Sequence, residues 1–152
     1  MRREDRKVES KKEIEKIIKK AEVLRVAFSE NDKPYIVPVN FGYSNDTFYF
    51  HCASEGKKLD LIKNNSSVAF ELEGAVHLIK GKIPCEFTMS YESVMGSGIA
   101  SIIYDTEEKI KGMNQVMKQY TNENNFDYNE KMLNRITIVK IDVKEISGKQ
   151  SK

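Results

Sequence analysis

Lys57 and Lys58, directly after Gly56 in His51-Cys-Ala-Ser-Glu-Gly-Lys-Lys58, are placed by type and spacing to hold an anion. Leu59, Leu61 and Ile62 follow among polar residues and read as a helix, so both lysines fall in its first turn. A helix start leaves backbone N–H groups unbonded and carries partial positive charge. With the Ser54 hydroxyl nearby, those amides and ammoniums make a cradle for a phosphate. The same residues on a helix facing water are ordinary solvated cations. His51 is the other versatile side chain here, able to move a proton, touch a ligand, or simply sit in the fold with a satisfied ring.

Other chemistry is harder to assemble. Cys52 and Cys85 form no CxxC and read as reduced thiols, with nothing beside Cys85 in sequence to lower its pKa. His51 and His77 have no metal-ligand spacing, so a metal site is not expected. No nucleophile elbow or pair of catalytic carboxylates stands out. Gly96-Ser-Gly-Ile-Ala-Ser101 nearly spells a dinucleotide fingerprint, but its third glycine is Ser101 and a strand-like Ile102-Ile-Tyr follows where a helix is required.

Several elements must position these residues. Tyr35 to Tyr43 is β-branched and aromatic and reads as one long strand, with Pro38 marking an edge or a bulge. Asn45-Asp46 closes a hairpin onto Thr47–His51, which leads into the lysine helix. Upstream, Ser10 and Glu13 have capping-box spacing ahead of Ile14, Ile17 and Ile18, an amphipathic helix within residues 1–20 that packs on the rest. Glu22–Phe28 is a first strand and Val68–Leu72 a buried one; residues 73–84 read as an excursion or irregular hairpin. Phe87–Tyr104 is a long bent strand interrupted at Gly96-Ser-Gly98, and Asp105 or Thr106 caps a helix through Ile110, Met113, Val116, Met117 and Tyr120. Asn122–Asn129 is turn-like, and Arg135–Ile146 is the clearest strand. About six strands without regular βαβ alternation predict a mainly β fold, an antiparallel barrel with peripheral helices.

At 152 residues, 39% hydrophobic and 32% charged, the chain has the size and composition of one soluble globular domain. It has no membrane-length apolar run and no hydrophobic leader, so a cytoplasmic location is expected. Residues 1–20 carry nine basic and five acidic side chains, which leaves the body at about −2. A basic arm for RNA or a membrane surface is one reading of that start. The body's aromatics are not interleaved with basic residues, and no nucleic-acid or membrane partner is expected.

Four stretches in order, PYIVPVNFGY, YFHCASEGKKLDLI, YESVMGSG and SGKQS, resemble the pyridoxamine 5′-phosphate oxidase-like flavoproteins, most nearly the 5-nitroimidazole resistance (Nim) branch. The similarity runs from about Arg2 to Ser151. It implies an FMN-binding split barrel spanning 1–152 as one domain, working as a homodimer with FMN at the interface. On that resemblance Lys58 is the phosphate ligand ahead of Lys57, with Ser54 beside them. Pro38, Val39, Asn40 and Phe41 lie against the flavin ring, and His51 contacts cofactor or substrate and is the candidate general acid. Tyr91, Ser93 and Val94 match a segment that reaches across the interface; as a bare strand they equally pack in their own barrel. The implied activity is transfer of electrons from NAD(P)H, through FMN, to small electrophiles such as nitroimidazoles. The alternative on the same fold is a flavin, deazaflavin or haem holder, a sensor or carrier without turnover.

Overall fold

The computed structural model describes residues 4–123 and 126–151. Within them the order is β1 (Lys7–Val8), α1 (Lys11–Lys20), β2 (Leu24–Glu30), β3 (Lys33–Val39), β4 (Phe41–Ser44), β5 (Thr47–Ala53), α2 (Lys57–Asn64), β6 (Ser67–Ile79), β7 (Thr88–Ile103), α3 (Thr106–Tyr120), α4 (Glu130–Leu133) and β8 (Ile136–Ser151). The strands pair antiparallel in the order β3-β2-β6-β7-β8-β5-β4, with β1 added to β8. The two ends of that path, β3 and β4, are one run of chain broken only at Asn40. A sheet whose two edges are halves of one bent strand is curled upon itself, and the fold is an antiparallel split barrel.

Alternation fills the barrel. Leu24, Val26 and Phe28 of β2, Phe48 and Phe50 of β5, and Val139 and Ile141 of β8 all point inward and are buried. Ile14, Ile17 and Ile18 of α1 and Leu59, Leu61 and Ile62 of α2 join the same core, so these two helices cap it rather than decorate it. Two hairpins turn on Asn31-Asp32 and Asn45-Asp46, all four residues at positive φ, the left-handed geometry that matches strand twist and that Asn and Asp tolerate.

Three local expectations change and one is resolved. The strand expected over Tyr35–Tyr43 is two, because β3 pairs with β2 whereas β4 pairs with β5. Ser10 does precede α1, but its hydroxyl makes no capping bond; its carbonyl accepts from Glu13 and Ile14 at 3.0 Å each. Of the excursion or irregular hairpin expected over residues 73–84, the structure has the irregular hairpin: β6 continues through a bulge between Glu73 and Val76 and pairs with β7 as far as Ile79–Thr88. Gly74-Ala75 sits in that bulge and erases the period-2 pattern. β8 also runs past Ile146 to Ser151, and the short helix α4 lies between the polar turn and that strand, where no element was expected. The bend expected at Gly96–Gly98 is present as a register shift between Ser97 and Gly98. Asp105 caps α3, its carboxylate accepting from the Glu108 amide at 2.9 Å. Arg2 and Arg3 of the basic start, Asn124 and Asn125 of the polar turn, and Lys152 of the closing segment lie outside the described residues.

Candidate functional site

Register brings the two halves of the expected site together. Phe41 of β4 pairs with Phe50 of β5, so Asn40 and His51 are the next residue along each strand. From the β5 end the chain passes Ser54 into α2, and the Lys57 ammonium lies 4.5 Å from the centre of the Tyr35 ring on β3. The β3–β4 break, the end of β5 and the start of α2 are therefore one neighbourhood. It holds Pro38, Val39, Asn40, Phe41, His51, Ser54, Lys57 and Lys58.

His51 points outward, since its neighbours Phe48 and Phe50 define the core face. It pairs with Ile138 of β8, which is fully buried beneath α3. His51 Nδ1 is itself buried and has no hydrogen-bond partner among the described residues. A buried ring nitrogen left without a protein partner is uncommon in a folded chain, and either a water or another molecule's group can complete its bonding. Cys52 turns the other way and packs on the core; burial raises its thiol pKa, and the positive charge of Lys58 works against that rise. The Cys52 thiol is thus held protonated rather than activated.

The start of α2 is built on Gly56, at φ 132° and ψ 163°, a conformation almost reserved for glycine. Its carbonyl accepts from Leu59 N–H at 2.9 Å, the first bond of the helix, so the Lys57 and Lys58 amides precede the ladder. Lys57 is engaged with Tyr35, whereas among the described residues Lys58 makes no hydrogen bond or ion pair. Pro38, Asn40, Ser54 and Lys57 are exposed, and His51 and Lys58 half-buried. The neighbourhood offers cations and amides for an anion at one end and an open strand edge for a flat polar group at the other.

Phe41 contributes differently from its neighbours. Its ring is fully buried against Phe48, with centroids 5.7 Å apart, and its amide is taken by the Tyr120 hydroxyl at 3.0 Å. That hydroxyl in turn donates to Glu22 O at 2.8 Å. Tyr120 was legible only as one more position on the apolar side of α3. The residue is 42% exposed, and its hydroxyl is what the fold uses.

Tyr91, Ser93 and Val94 stand apart. From Pro38 the register passes through Arg25 and Glu71 to Met95, three interstrand steps of about 4.8 Å each, with Tyr91 four residues further along β7. One chain does not bring them to His51. Val94 is fully buried inside the barrel, so only its backbone faces outward groups, while Tyr91 and Ser93 are half-buried, with Lys149 Nζ 5.8 Å from the Tyr91 ring centre.

Residues 10–150 match the pyridoxamine 5′-phosphate oxidase family. Among solved structures, a candidate 5-nitroimidazole antibiotic resistance protein from Bacteroides thetaiotaomicron is 33% identical, with a TM-score of 0.84 over 94% of this chain and 85% of that one. The flavocytochrome Anf3 from Azotobacter vinelandii is 17% identical, with a TM-score of 0.85 over 100% of this chain and 72% of its own. An FAD- and haem-binding protein from Mycobacterium smegmatis is 14% identical, with a TM-score of 0.86, covering 97% and 74%. These last two likenesses are of fold. An uncharacterised Rhizobium meliloti protein, RA0666, is 30% identical over 67 residues, so the chain spans less than half the length of that relative, 43%. With nearly the whole barrel inside the matched span, the chain belongs to the pyridoxamine 5′-phosphate oxidase family.

Proposed function

We propose that the chain, acting as one domain over residues 1–152, binds FMN at the junction of β3, β4, β5 and α2. We propose further that it is an FMN-dependent oxidoreductase reducing small electrophiles, nitro compounds among them, with electrons from NAD(P)H. The observation that carries this is the convergence of an open strand edge, a lysine-bearing helix start and the unpartnered, buried His51 Nδ1. Bound FMN supplies the hydride and electron transfer that no side chain here can perform. Lys58, with the Lys57 and Lys58 amides and Ser54, neutralises the phosphate. The backbone of Pro38–Asn40, at the open edge of β3, would hold the ring's polar edge. His51 Nδ1 bonds cofactor or substrate and is placed to hold or move a proton at that atom.

The site is open on the surface of one chain, and a homodimer would close it. A feature of β6 and β7 supports that reading. Ser151 pairs with Tyr91, and beyond that pair β6 and β7 continue as a ribbon of two strands. Val76, Leu78, Met89 and Tyr91 share one face of it, with Leu78 55% exposed, while His77, Ile79, Thr88 and Ser90 share the other. A free two-stranded ribbon is marginal in water, so this apolar face calls for cover. Tyr91 and Ser93 would approach FMN from the second subunit.

A flavin or haem carrier without turnover is the second reading, favoured by neighbours that share this fold and are a flavocytochrome and an FAD- and haem-binding protein. The absorbance spectrum of the purified protein, with mass spectrometry of what heat releases, separates the two. FMN near one per subunit together with NAD(P)H-dependent reduction of a nitroaromatic supports the oxidoreductase. FMN without turnover supports the carrier, a haem spectrum removes the reductase, and a colourless protein that FMN does not stabilise removes both. Lys58→Ala is expected to weaken FMN binding about 10- to 100-fold, the loss of one charge-assisted bond, and Lys57→Ala far less. Equal small effects would move the phosphate elsewhere.

A further inference from the structure

We propose that Tyr120 is a positioning residue for the FMN site: its hydroxyl holds the strand break at Asn40–Phe41 in the place the cofactor needs. This rests on the FMN reading above. Asn40 is where the barrel's continuous strand changes partners, from β2 to β5, so neither ladder alone determines where the backbone on either side of it lies. Phe41 N–H, the first amide after the break, donates not to a strand but to Tyr120 Oη at 3.0 Å. The same oxygen donates to Glu22 O at 2.8 Å, in the link between α1 and β2. One hydroxyl thus ties α3 to the approach to β2 and to the start of β4.

Its anchorage is rigid. At Gly42, one residue past the clamp, an added Cβ would lie 2.2 Å from the Gln115 carbonyl, so α3 rests directly on the β4 backbone. At Gln119 the side-chain amide donates to the carbonyls of Ile18, Lys19 and Ala21, fixing the last turn of α3 to the end of α1. Tyr120 is a substantially exposed residue outside the buried core cluster, so its hydroxyl carries its role. Phe41 in turn leads to Asn40 beside His51, which makes Tyr120 the remote support of the ring-edge segment. Groups that must meet a ligand within fractions of an ångström depend on such supports.

The test compares Tyr120→Phe with Gln119→Ala in the full-length protein. Amide hydrogen exchange is followed by mass spectrometry without flavin, and FMN affinity by fluorescence titration of flavin-free protein. Tyr120→Phe is expected to speed exchange across residues 39–42 and to weaken FMN by about tenfold each, the scale of one lost hydrogen bond. Gln119→Ala is expected to loosen residues 18–22 while leaving FMN affinity at the wild-type value. Wild-type exchange at 39–42 in Tyr120→Phe overturns the proposal. So does an equal loss of FMN affinity in both variants in proportion to lost thermal stability, which would make Tyr120 merely structural. A wild-type protein that takes up no FMN refutes the cofactor reading and the site role with it, whereas the exchange experiment separately decides whether Tyr120 holds the break.

Discussion

Asp46 occupies the second turn position between β4 and β5, and its carboxylate accepts from Lys11 Nζ at 2.6 Å and from the Tyr43 hydroxyl at 3.0 Å. The Lys11 hydrogen bond, then that of Tyr43, depresses its pKa below the ordinary value near 3.9. A carboxylate with a lowered folded pKa contributes stability that is present above the unfolded value and fades as pH falls through the folded one. Asp46→Asn, which keeps the left-handed turn, is therefore expected to melt below wild type at about pH 7, with the gap narrowing as pH falls below the ordinary carboxylate range. A gap that persists unchanged in acid would assign its role to the turn alone. At this scale the sequence was partly readable. Lys57, Lys58 and His51 are marked by residue type and by a helix start a few positions long. Tyr120 is not, because its partners Glu22 and Phe41 lie 98 and 79 positions away and only the closed barrel brings them near.

Helix α3 is set on the barrel by two glycines rather than by a stripe of large side chains. A Cβ at Gly42 would meet the Gln115 carbonyl carbon and oxygen at 2.2 Å, and one at Gly112 would meet Ile138 Cγ2 at 2.8 Å. Both contacts at Gly42 are backbone, so nothing soft can yield and the helix itself must lift. Gly42→Ala is expected to cost about 3 kcal/mol or more in denaturant unfolding, the upper range for overpacking. A loss below about 1 kcal/mol would show that α3 slides freely on β4. Strands β2 and β5 were legible because one buried face imposes period 2 on each, and β8 because it is rich in β-branched residues, with Val139 and Ile141 inside the barrel and Ile138 under α3. The break at Asn40 was not, since Tyr35–Tyr43 keeps its β-forming composition straight through a change of partner. The far half of β6 was hidden for the opposite reason: its two faces are both open in one chain, so nothing forces an alternation there.

For the whole molecule, the ribbon beyond the barrel bears on assembly. If its apolar face meets a second copy, Leu78→Lys with Met89→Lys is expected to turn a dimer into a monomer by light scattering and to weaken FMN binding, with an unchanged circular dichroism spectrum. A dimer that survives both lysines would place the interface elsewhere. Barrel class and antiparallel pairing followed from composition and the absence of βαβ alternation, but the bare face of the ribbon did not, since no pattern within a single chain records what a neighbour would cover. The position of β8 has a further consequence. It lies between β7 and β5 in the sheet, yet it is the last strand in chain order. Until its 16 residues have left the ribosome, β3-β2-β6-β7 and β5-β4 have no ladder between them. Closure of the barrel must therefore follow the synthesis of β8, and until then the nascent chain carries two separate half-sheets that a chaperone, or another nascent copy, can reach first.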